Sequence, residues 1–414
     1  MKKACLVSRP RRIRFADLVR RVRESVEVDP RNEYFEIGVR SHGLGTFHKD
    51  GVSGKDLGSK SVFRVHSNCL VFNIVFAWEG AVAITTEADA GRIASHRFPM
   101  FRVLDDFADI EYLRSYFTSP LGRYLLRLAS PGGAGRNRTL NSSKLGDIEL
   151  KLPSLRSQKA VARLSKLLDE TASRIELAVT ARERRKMALL QQVLIGEIRC
   201  RGLNPAKWTR ARLAELAQVN PAISMNLDPN LVVSFVSMAD VSAHGRIRSS
   251  RVRRHGDLTS GYAVFRDGDV LIAKITPCFE NGKGALARGL VNGVGFGSSE
   301  FHVVRPGPRL LAEYFNYLAQ SRGFRKAGAS CMTGSAGQRR VPAQFVGNFL
   351  VPLPPIDEQR SIATLLELVD EELLLLDRQL AAVRKLKRGL MQKLLTGELE
   401  VPAADEPKGD EVHA

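Results

Sequence analysis

The sequence lacks the features that mark several large classes of protein. Its five cysteines are scattered and form no CxxC pair, which argues against a disulfide framework and against a zinc site. The longest apolar runs, such as Leu70–Ala77 and Leu373–Leu376, are far shorter than the roughly 20 residues of a membrane-spanning helix. Met1–Arg23 is rich in arginine but has no continuous apolar segment, unlike a secretory signal. These absences predict a cytoplasmic protein.

Catalytic motifs are also missing. No GxGxxG opens a βαβ unit, no GxxxxGK[ST] phosphate loop is present, and the eight histidines show no HExxH or paired metal spacing. A DNA methyltransferase would need an Asn/Asp-Pro-Pro-aromatic tetrapeptide, and the nearest stretch is Asn220-Pro221-Ala222-Ile223. The sequence therefore predicts a chain with no catalytic residues and no metal of its own, although a dispersed nuclease carboxylate cluster stays open.

The charge of the chain indicates a polyanionic partner. Sixty-three Lys and Arg stand against 44 Asp and Glu, which gives a formal net charge of +19. Each basic side chain that meets a phosphate releases condensed counterions, so such an excess favours nucleic acid binding. Acidic protein partners are the alternative.

One segment of the sequence occurs twice. Residues 152–197 align without a gap on residues 353–398, an offset of 201, and 15 of the 46 aligned positions are identical. Roughly three identities would be expected from average composition. The chain therefore contains an internal duplication.

Each copy has the pattern of one long helix. Pro153 and Pro354 stand near its start, and Gly196 and Gly397 lie where a C-terminal cap is expected. About 40 residues at 1.5 Å per residue predict a length of roughly 60 Å. An apolar seam with steps of four and three residues is typical of a coiled coil. Its members are Leu168, Ala172, Ile175, Val179, Leu189 and Val193 in the first copy, and Val369, Leu373, Leu376, Leu380, Val383, Leu390 and Leu394 in the second.

The seam is interrupted by Arg182 and Lys186 in the first copy and by Lys387 in the second. Polar interruptions of this kind can set the register of a helix pair. Two equivalent helices in one chain favour an antiparallel intramolecular pair with a pseudo-two-fold axis. A buried core helix or a homodimeric coiled coil is the alternative.

The remaining segments are diverged copies of one α+β domain. The predicted boundaries are domain 1 at 1–151, a long helix at 152–200, domain 2 at 201–351, a long helix at 352–402 and a disordered tail at 403–414. Short strands are predicted at Ser61–Val65, Leu231–Val236 and Asp269–Ile275, and helices at Phe107–Ser119 and Leu310–Ser321. The two domains differ most in their central loops, Phe72–Gly80 and Ile275–Gly284, which suggests two related but different targets.

These segments resemble the DNA specificity subunits of Type I restriction–modification systems. The family's Leu-Pro-Pro-Leu-x-Glu-Gln segment corresponds to Leu353–Gln359, and its helix end corresponds to Leu394–Glu398. The first copy departs from the pattern at Arg156-Ser157, where an acidic pair is usual. The resemblance implies a non-catalytic subunit with two target-recognition domains and two long antiparallel coiled-coil helices.

The resemblance also implies the partners. Each domain is expected to recognise one half of a bipartite site in double-stranded DNA, and the helices are expected to set the spacer between the halves. Methylation subunits, expected to number two, should dock on the helices and bring S-adenosylmethionine. Restriction subunits should join them and bring ATP hydrolysis, with Mg also bound on partner subunits. No cofactor is expected on this chain.

Candidate DNA contacts fall in three kinds of stretch. Arginine can bind guanine with two hydrogen bonds, and glycines let the backbone approach phosphates. The candidates are Arg136, Arg138, Arg339 and Arg340 in two Gly-rich runs; Arg246, Arg248, Arg251, Arg253 and Arg254 in one arginine-rich stretch; and Asn281 and Lys283 on a loop. The alternatives are solvated arginines in flexible turns and a buried turn around residue 281. For the whole chain, a scaffold without base specificity and a stand-alone enzyme stay open as other functions.

Overall fold

The computed structural model describes residues 11–58, 60–132, 138–199, 207–222, 227–258, 261–335, 337–396 and 398–399. The chain divides into two compact units, Met1–Arg174 with Leu380–Ala414, and Ile175–Gln379. Each unit therefore holds one of the two mixed α/β domains together with one half of each long helix. Gly397 and the predicted tail 403–414 lie outside the described residues.

Domain 1 contains eleven strands and five short α-helices in its described part, followed by a long helix. Strands β1 to β11 are, in order, Arg11–Arg14, Val19–Val22, Ser25–Val26, Glu33–Val39, Thr46–Ser53, Val62–Arg64, Leu70–Phe72, Val82–Ile84, Ile93–Ser95, Met100–Val103 and Glu149–Leu152. Helices α1 to α6 are Phe15–Leu18, Gly54–Leu57, Ile110–Thr118, Pro120–Leu128, Ser142–Gly146 and Leu155–Leu194. The strands form sheets of order β1-β11, β2-β10-β7-β8 and β5-β4-β9-β6-β3.

Domain 2 repeats this organisation. Strands β12 to β21 are, in order, Thr209–Arg212, Ala217–Val219, Val232–Val236, Arg251–Arg254, Ala263–Arg266, Val270–Ala273, Gly284–Leu286, Val294–Gly297, Phe301–Pro306 and Leu350–Leu353. Helices α7 to α11 are Leu213–Leu216, Ala312–Gln320, Arg322–Ser330, Ala343–Asn348 and Ile356–Thr396.

The sheets of domain 2 have the orders β12-β21, β13-β20-β17-β18 and β15-β14-β19-β16. The first two match domain 1 strand for strand, and the third matches it except for the additional β3. The third sheet of each domain has one parallel pair among its described strands. The pair is β4 with β9 in domain 1 and β14 with β19 in domain 2, and these two pairs correspond to each other. The predicted duplication of an α+β domain is thus confirmed at the level of topology.

Aromatic clusters fill the two cores. In domain 1, Phe15, Phe72 and Phe117 contact one another edge to face, with ring centroids 5.3 to 5.8 Å apart. In domain 2, the ring of Phe324 lies 4.8 Å from that of Phe349. Such pairs stabilise a core beyond the burial of their apolar area. The predicted strands and helices around these clusters are confirmed as β6, β14, β17, α3 and α8.

A buried glutamine attaches each long helix to the domain that precedes it. In domain 1, Oε1 of Gln158 accepts from the backbone N–H of Asp109 at 3.0 Å, and Nε2 donates to the carbonyls of Phe107 and Pro153. Gln359, which lies 201 residues later, makes the same three bonds in domain 2, to Leu311, Arg309 and Pro354. Each glutamine is 1% exposed, so losing it would leave three backbone groups unsatisfied. The repeated motif therefore has a structural role that its spacing alone does not show.

The long helices run antiparallel within each unit. In the first unit, Val161 and Ala162 of α6 share a core with Met391 and Leu394 of α11. In the second unit, Leu190 and Val193 share a core with Ile362 and Leu366. All thirteen residues of the predicted seam are buried or half-buried.

The polar interruptions of the seam form ion pairs. Lys186 pairs with Asp370 at 2.6 Å, and Lys387 pairs with Asp169 at 2.5 Å. The two pairs are equivalent under the offset of 201. Arg182 pairs with Glu372 at 2.8 Å. The prediction that these residues set the register agrees with their contacts.

The first copy of the repeat has Ser157 where an acidic residue is usual, and this difference changes the contacts at the start of the helix. In the second copy the corresponding Glu358 is 1% exposed and accepts from the guanidinium of Arg199 and from Nε1 of Trp208. These bonds fasten the segment after α6 to the start of α11. Ser157 contacts the hydroxyl of Ser154 instead, at 2.9 Å.

In the described part of the chain, no helix is both long enough and apolar enough to cross a bilayer. The three cysteines described are all free thiols, Cys69, Cys278 and Cys331.

The two equivalent lysines are expected to contribute unequally to the free energy of unfolding. The side chains of Lys186 and Asp370 are 4% and 5% exposed, and Tyr317 also donates to Asp370 at 3.0 Å. In the equivalent pair Lys387 and Asp169 are 28% and 45% exposed. Lys186→Ala should lower the free energy of unfolding by about 3–5 kcal/mol because it leaves a buried carboxylate unpaired. Lys387→Ala should cost about 1 kcal/mol or less. Urea unfolding of both variants measures this, and equal losses would contradict it.

Candidate nucleic-acid interface

In domain 2 the fold brings two predicted contact segments together. The backbone N–H of Thr276, at the start of the central loop, donates to the carbonyl of Arg339 at 2.9 Å. Ile275 and Thr333 each form a β-bridge with Arg340, which closes the Gly-rich run into a hairpin. The central loop that carries Asn281 and Lys283 therefore lies beside the hairpin that carries Arg339 and Arg340.

Domain 1 has the corresponding arrangement. Gly132 and Arg138 form a β-bridge, and the N–H of Leu140 donates to the carbonyl of Ile74 at 2.8 Å. The central loop Phe72–Gly80 is thus joined to the end of the Gly-rich run, and Arg138 is half-buried there. Arg136 lies outside the described residues.

The side chains in the domain 2 surface have different surroundings. The guanidinium of Arg340 contacts the Glu300 carboxylate at 2.8 to 3.1 Å, and these hydrogen bonds lower the pKa of Glu300. Nζ of Lys283 donates to the carbonyl of Met238 at 3.1 Å. Arg339 is exposed, 4.0 Å from Glu280, and Asn281 is exposed as well. Arg340 and Lys283 therefore shape the loops, while Arg339 and Asn281 reach the surface.

Part of the arginine-rich stretch forms an edge strand. Arg251, Arg253 and Arg254 lie on β15, are exposed, and form no ion pair with any described residue. Strand β15 pairs only with β14, so its other edge is open among the described strands. Three exposed guanidiniums on one four-residue strand concentrate positive charge, which a row of phosphates would neutralise.

The other two arginines of this stretch face acidic residues of the second unit. Arg246 lines a cavity of about 270 Å³ together with Glu313, Glu367 and Asp370. Arg248 lines a neighbouring cavity of about 150 Å³ beside Asp377. The fold therefore separates Arg246 and Arg248 from the three arginines on the strand.

Domain 1 contains a basic pair that the sequence pattern did not single out. Arg20 on β2 and Arg102 on β10 stand directly opposite each other, and both are exposed. Like charges in opposite positions destabilise a sheet, so an anion near this pair would be favourable. The two residues are 82 positions apart, and only strand pairing reveals that they are neighbours.

The electrostatics of the two domains differ. Residues 201–351 contain 20 Lys and Arg against 9 Asp and Glu, whereas residues 1–151 contain 25 against 17. Domain 2 should therefore contribute more of the attraction for a polyanion. Among the described residues, no group of three or more His, Cys, Asp or Glu is placed to hold a metal ion.

Part of the chain is similar in sequence to known proteins. No family model matches the chain. The chain is 41% identical over 160 residues to the specificity subunit of the Type I restriction enzyme EcoEI and also to that of EcoAI, both from Escherichia coli. Each match covers 38% of this chain and 27% of the relative. The chain thus spans about a quarter of the length of the curated relatives it matches.

Solved structures share the fold over almost the whole chain. The HsdS subunit from Thermoanaerobacter tengcongensis matches with a TM-score of 0.51 at 20% identity, covering 94% of this chain and 97% of that one. The Type I restriction–modification S subunit from M. genitalium matches with a TM-score of 0.54 at 12% identity, covering 95% and 98%. A chain from a study of type I R-M complex assembly matches with a TM-score of 0.56 at 17% identity, covering 96% and 100%. By sequence over 160 residues and by fold over almost its whole length, this chain is similar to Type I restriction enzyme specificity subunits.

Proposed function

We propose that this chain is the DNA-recognition subunit of a Type I restriction–modification complex and has no catalytic role of its own. The observation that carries the proposal is one topology used twice with different central loops. Two domains of matching strand order are each attached to a long helix by the same glutamine bonds. A duplicated support that carries different loops suits a protein that recognises two different sequences.

Each domain recognises one half of a bipartite site in double-stranded DNA. Base contacts come from the surface formed by the central loop and the Gly-rich run, where Arg339 and Asn281 are exposed in domain 2. Phosphate contacts come from basic side chains outside these loops, above all Arg251, Arg253 and Arg254. The antiparallel helices set the spacer, because the spacing of half-sites follows protein geometry.

Two methylation subunits dock on the long helices. In support of this, Leu167 and Leu368 occupy equivalent positions in the two copies, and each is 59% exposed although the apolar seam lies elsewhere. An exposed leucine repeated in both copies suits a protein contact used twice. The methylation subunits supply S-adenosylmethionine, and restriction subunits supply ATP hydrolysis and the associated Mg.

Mapping of modified bases tests this function. The chain is co-expressed with its methylation subunit in a host without restriction systems, and the host genome is sequenced for methylated bases. We expect one motif with two defined halves and a fixed gap, which disappears when this chain is omitted. Methylation without sequence preference, or equal affinity of the complex for all duplexes, would instead indicate a scaffold.

The arginines of the edge strand are expected to bind phosphate without reading sequence. Replacing Arg251, Arg253 and Arg254 with Gln should weaken binding to specific and random duplexes alike. The slope of log K against log salt should become shallower by about 0.9 for each phosphate that is no longer neutralised. The control is Arg360→Gln, because Arg360 is exposed but already pairs with Asp357. An altered methylation motif would contradict this assignment.

The role of the helices in spacing can be tested by inserting one heptad in both. The insertions follow Ile175 in α6 and its equivalent Leu376 in α11, so that both lysine–aspartate pairs and the phase of the seam are kept. Seven residues add about 10 Å to each helix. The spacer should then lengthen by about three base pairs, since base pairs are stacked roughly 3.4 Å apart.

Both half-sequences should remain the same in this variant. An insertion in only one helix is the control and should abolish methylation, because the seam can no longer pair along its length. New half-sequences with the old spacer would contradict the role of the helices.

A further inference from the structure

One buried arginine in domain 2 lies directly under the central loop. Arg325 is on helix α9, four residues after the N-cap Ser321, and is 7% exposed. Its Nη1 donates to the carbonyl of Phe279 at 3.0 Å. Its guanidinium also stacks on the ring of Phe279, 4.7 Å from the centroid. Arg325 thus holds both the backbone and the side chain of the loop residue that directly precedes Glu280 and Asn281.

The charge of this arginine is not compensated. Its Nε is buried without a hydrogen-bond partner, and no described carboxylate pairs with it. Burial lowers the pKa of Arg325 to about 9, and the nearby Glu280 offsets that effect only in part. A buried guanidinium without a counterion destabilises the folded state. Stability alone therefore does not explain its presence.

Domain 1 has an arginine at the equivalent position. Arg123 is on helix α4, four residues after the N-cap Ser119, and its Nε is likewise buried without a partner. Its side chain runs along Gly80, the last residue of the other central loop, where an added Cβ would approach Cδ of Arg123 to 3.1 Å. The two central loops differ in sequence, yet each packs on an arginine at the same place in the fold.

The packing around Phe279 leaves little freedom for the domain 2 loop. A Cβ at Gly328 of α9 would lie 2.3 Å from Cζ of Phe279, so the ring rests directly on the helix backbone. The carbonyl of Phe279 accepts a second hydrogen bond from the N–H of Gly282, at 2.9 Å. The guanidinium and the turn therefore fix the same oxygen from two sides, and Asn281 lies within that turn.

We propose that Arg325 and Arg123 are positioning residues that set the shape of the recognition loop in their own domain, and so determine how sharply that domain discriminates its half-site. The proposal rests on the proposed function, since it assigns the loops to DNA recognition. The arginines act through the loop and not by contact with the DNA. The uncompensated charge of Arg325 lowers stability, while the loop geometry that the two arginines impose serves recognition.

The test uses the full chain in complex with its methylation subunit. Arg325→Met and Arg123→Met keep most of the side-chain volume and remove the charge and the donors. Lys326→Met is the matched control, because Lys326 is the exposed neighbour of Arg325 on the same helix. Two quantities are measured, the methylation of a library randomised over both half-sites and the thermal unfolding midpoint of the complex without DNA.

We expect Arg325→Met to reduce discrimination by about tenfold or more, equivalent to about 1.4 kcal/mol, in one half-site only. Arg123→Met should do the same in the other half-site. The midpoint should stay unchanged or rise, because an uncompensated buried charge has been removed. Arg325→Lys should also lose discrimination, since an ammonium cannot stack as a plane on Phe279. Lys326→Met should leave both half-sites intact.

Other outcomes would overturn the proposal. If Arg325→Met or Arg325→Lys still discriminated its half-site as well as the wild type, the guanidinium would not determine the shape of the loop. A large fall in the midpoint with both half-sites lost would show that the residue is needed only for folding. If the wild-type complex itself methylated without sequence preference, the proposed function would fail. The measurement on the wild-type complex therefore separates that result from a failure of this inference.

Discussion

The architecture depends on how each long helix is attached to a globular domain. Gln158 and Gln359 are buried, and each satisfies one N–H and two carbonyl groups at the point where a helix begins beside its domain. Because unsatisfied buried backbone groups are expensive, these three bonds leave little freedom for the domain to move relative to the start of its helix. A surface carried by that domain therefore has a defined orientation, as the proposed recognition of a spaced DNA site would require.

The duplicated halves have diverged where packing allows different solutions. The pair Lys186–Asp370 is buried and includes the hydroxyl of Tyr317, whereas its equivalent Lys387–Asp169 is more open. Glu358 fastens the segment that follows α6, and Ser157 has no such role. A buried ion pair is a weak source of stability but a strong constraint on register, because a shifted pairing would leave its charges unpaired in the interior. The second unit therefore has the more strictly defined helix register.

The proposed recognition surfaces combine a constant support with variable loops. Sheets of the same order and helices of the same placement support Phe72–Gly80 in one domain and Ile275–Gly284 in the other. Some candidate contacts belong to the support, since Arg340 is bound to Glu300 and Lys283 to a backbone carbonyl. Exposed residues such as Asn281 and Arg339 can change with less effect on the fold. The proposed function thus lies on loops whose shape is determined by the elements beneath them.

The duplication, the two long helices, the seam and its polar interruptions could all be predicted from the sequence. These are periodic or repeated patterns, and a helix places residues three and four apart on one face whatever the rest of the chain does. Several predicted short strands and helices were also confirmed, because alternation and spacing are local as well. Which arginines have acidic neighbours became clear only from the folded chain. Arg340 finds Glu300 across 40 residues, Arg246 lies among acidic residues more than 60 positions away, and Arg20 meets Arg102 through strand pairing. Partners so distant in sequence leave no periodic signal, because the contact is created by the folding of the whole domain.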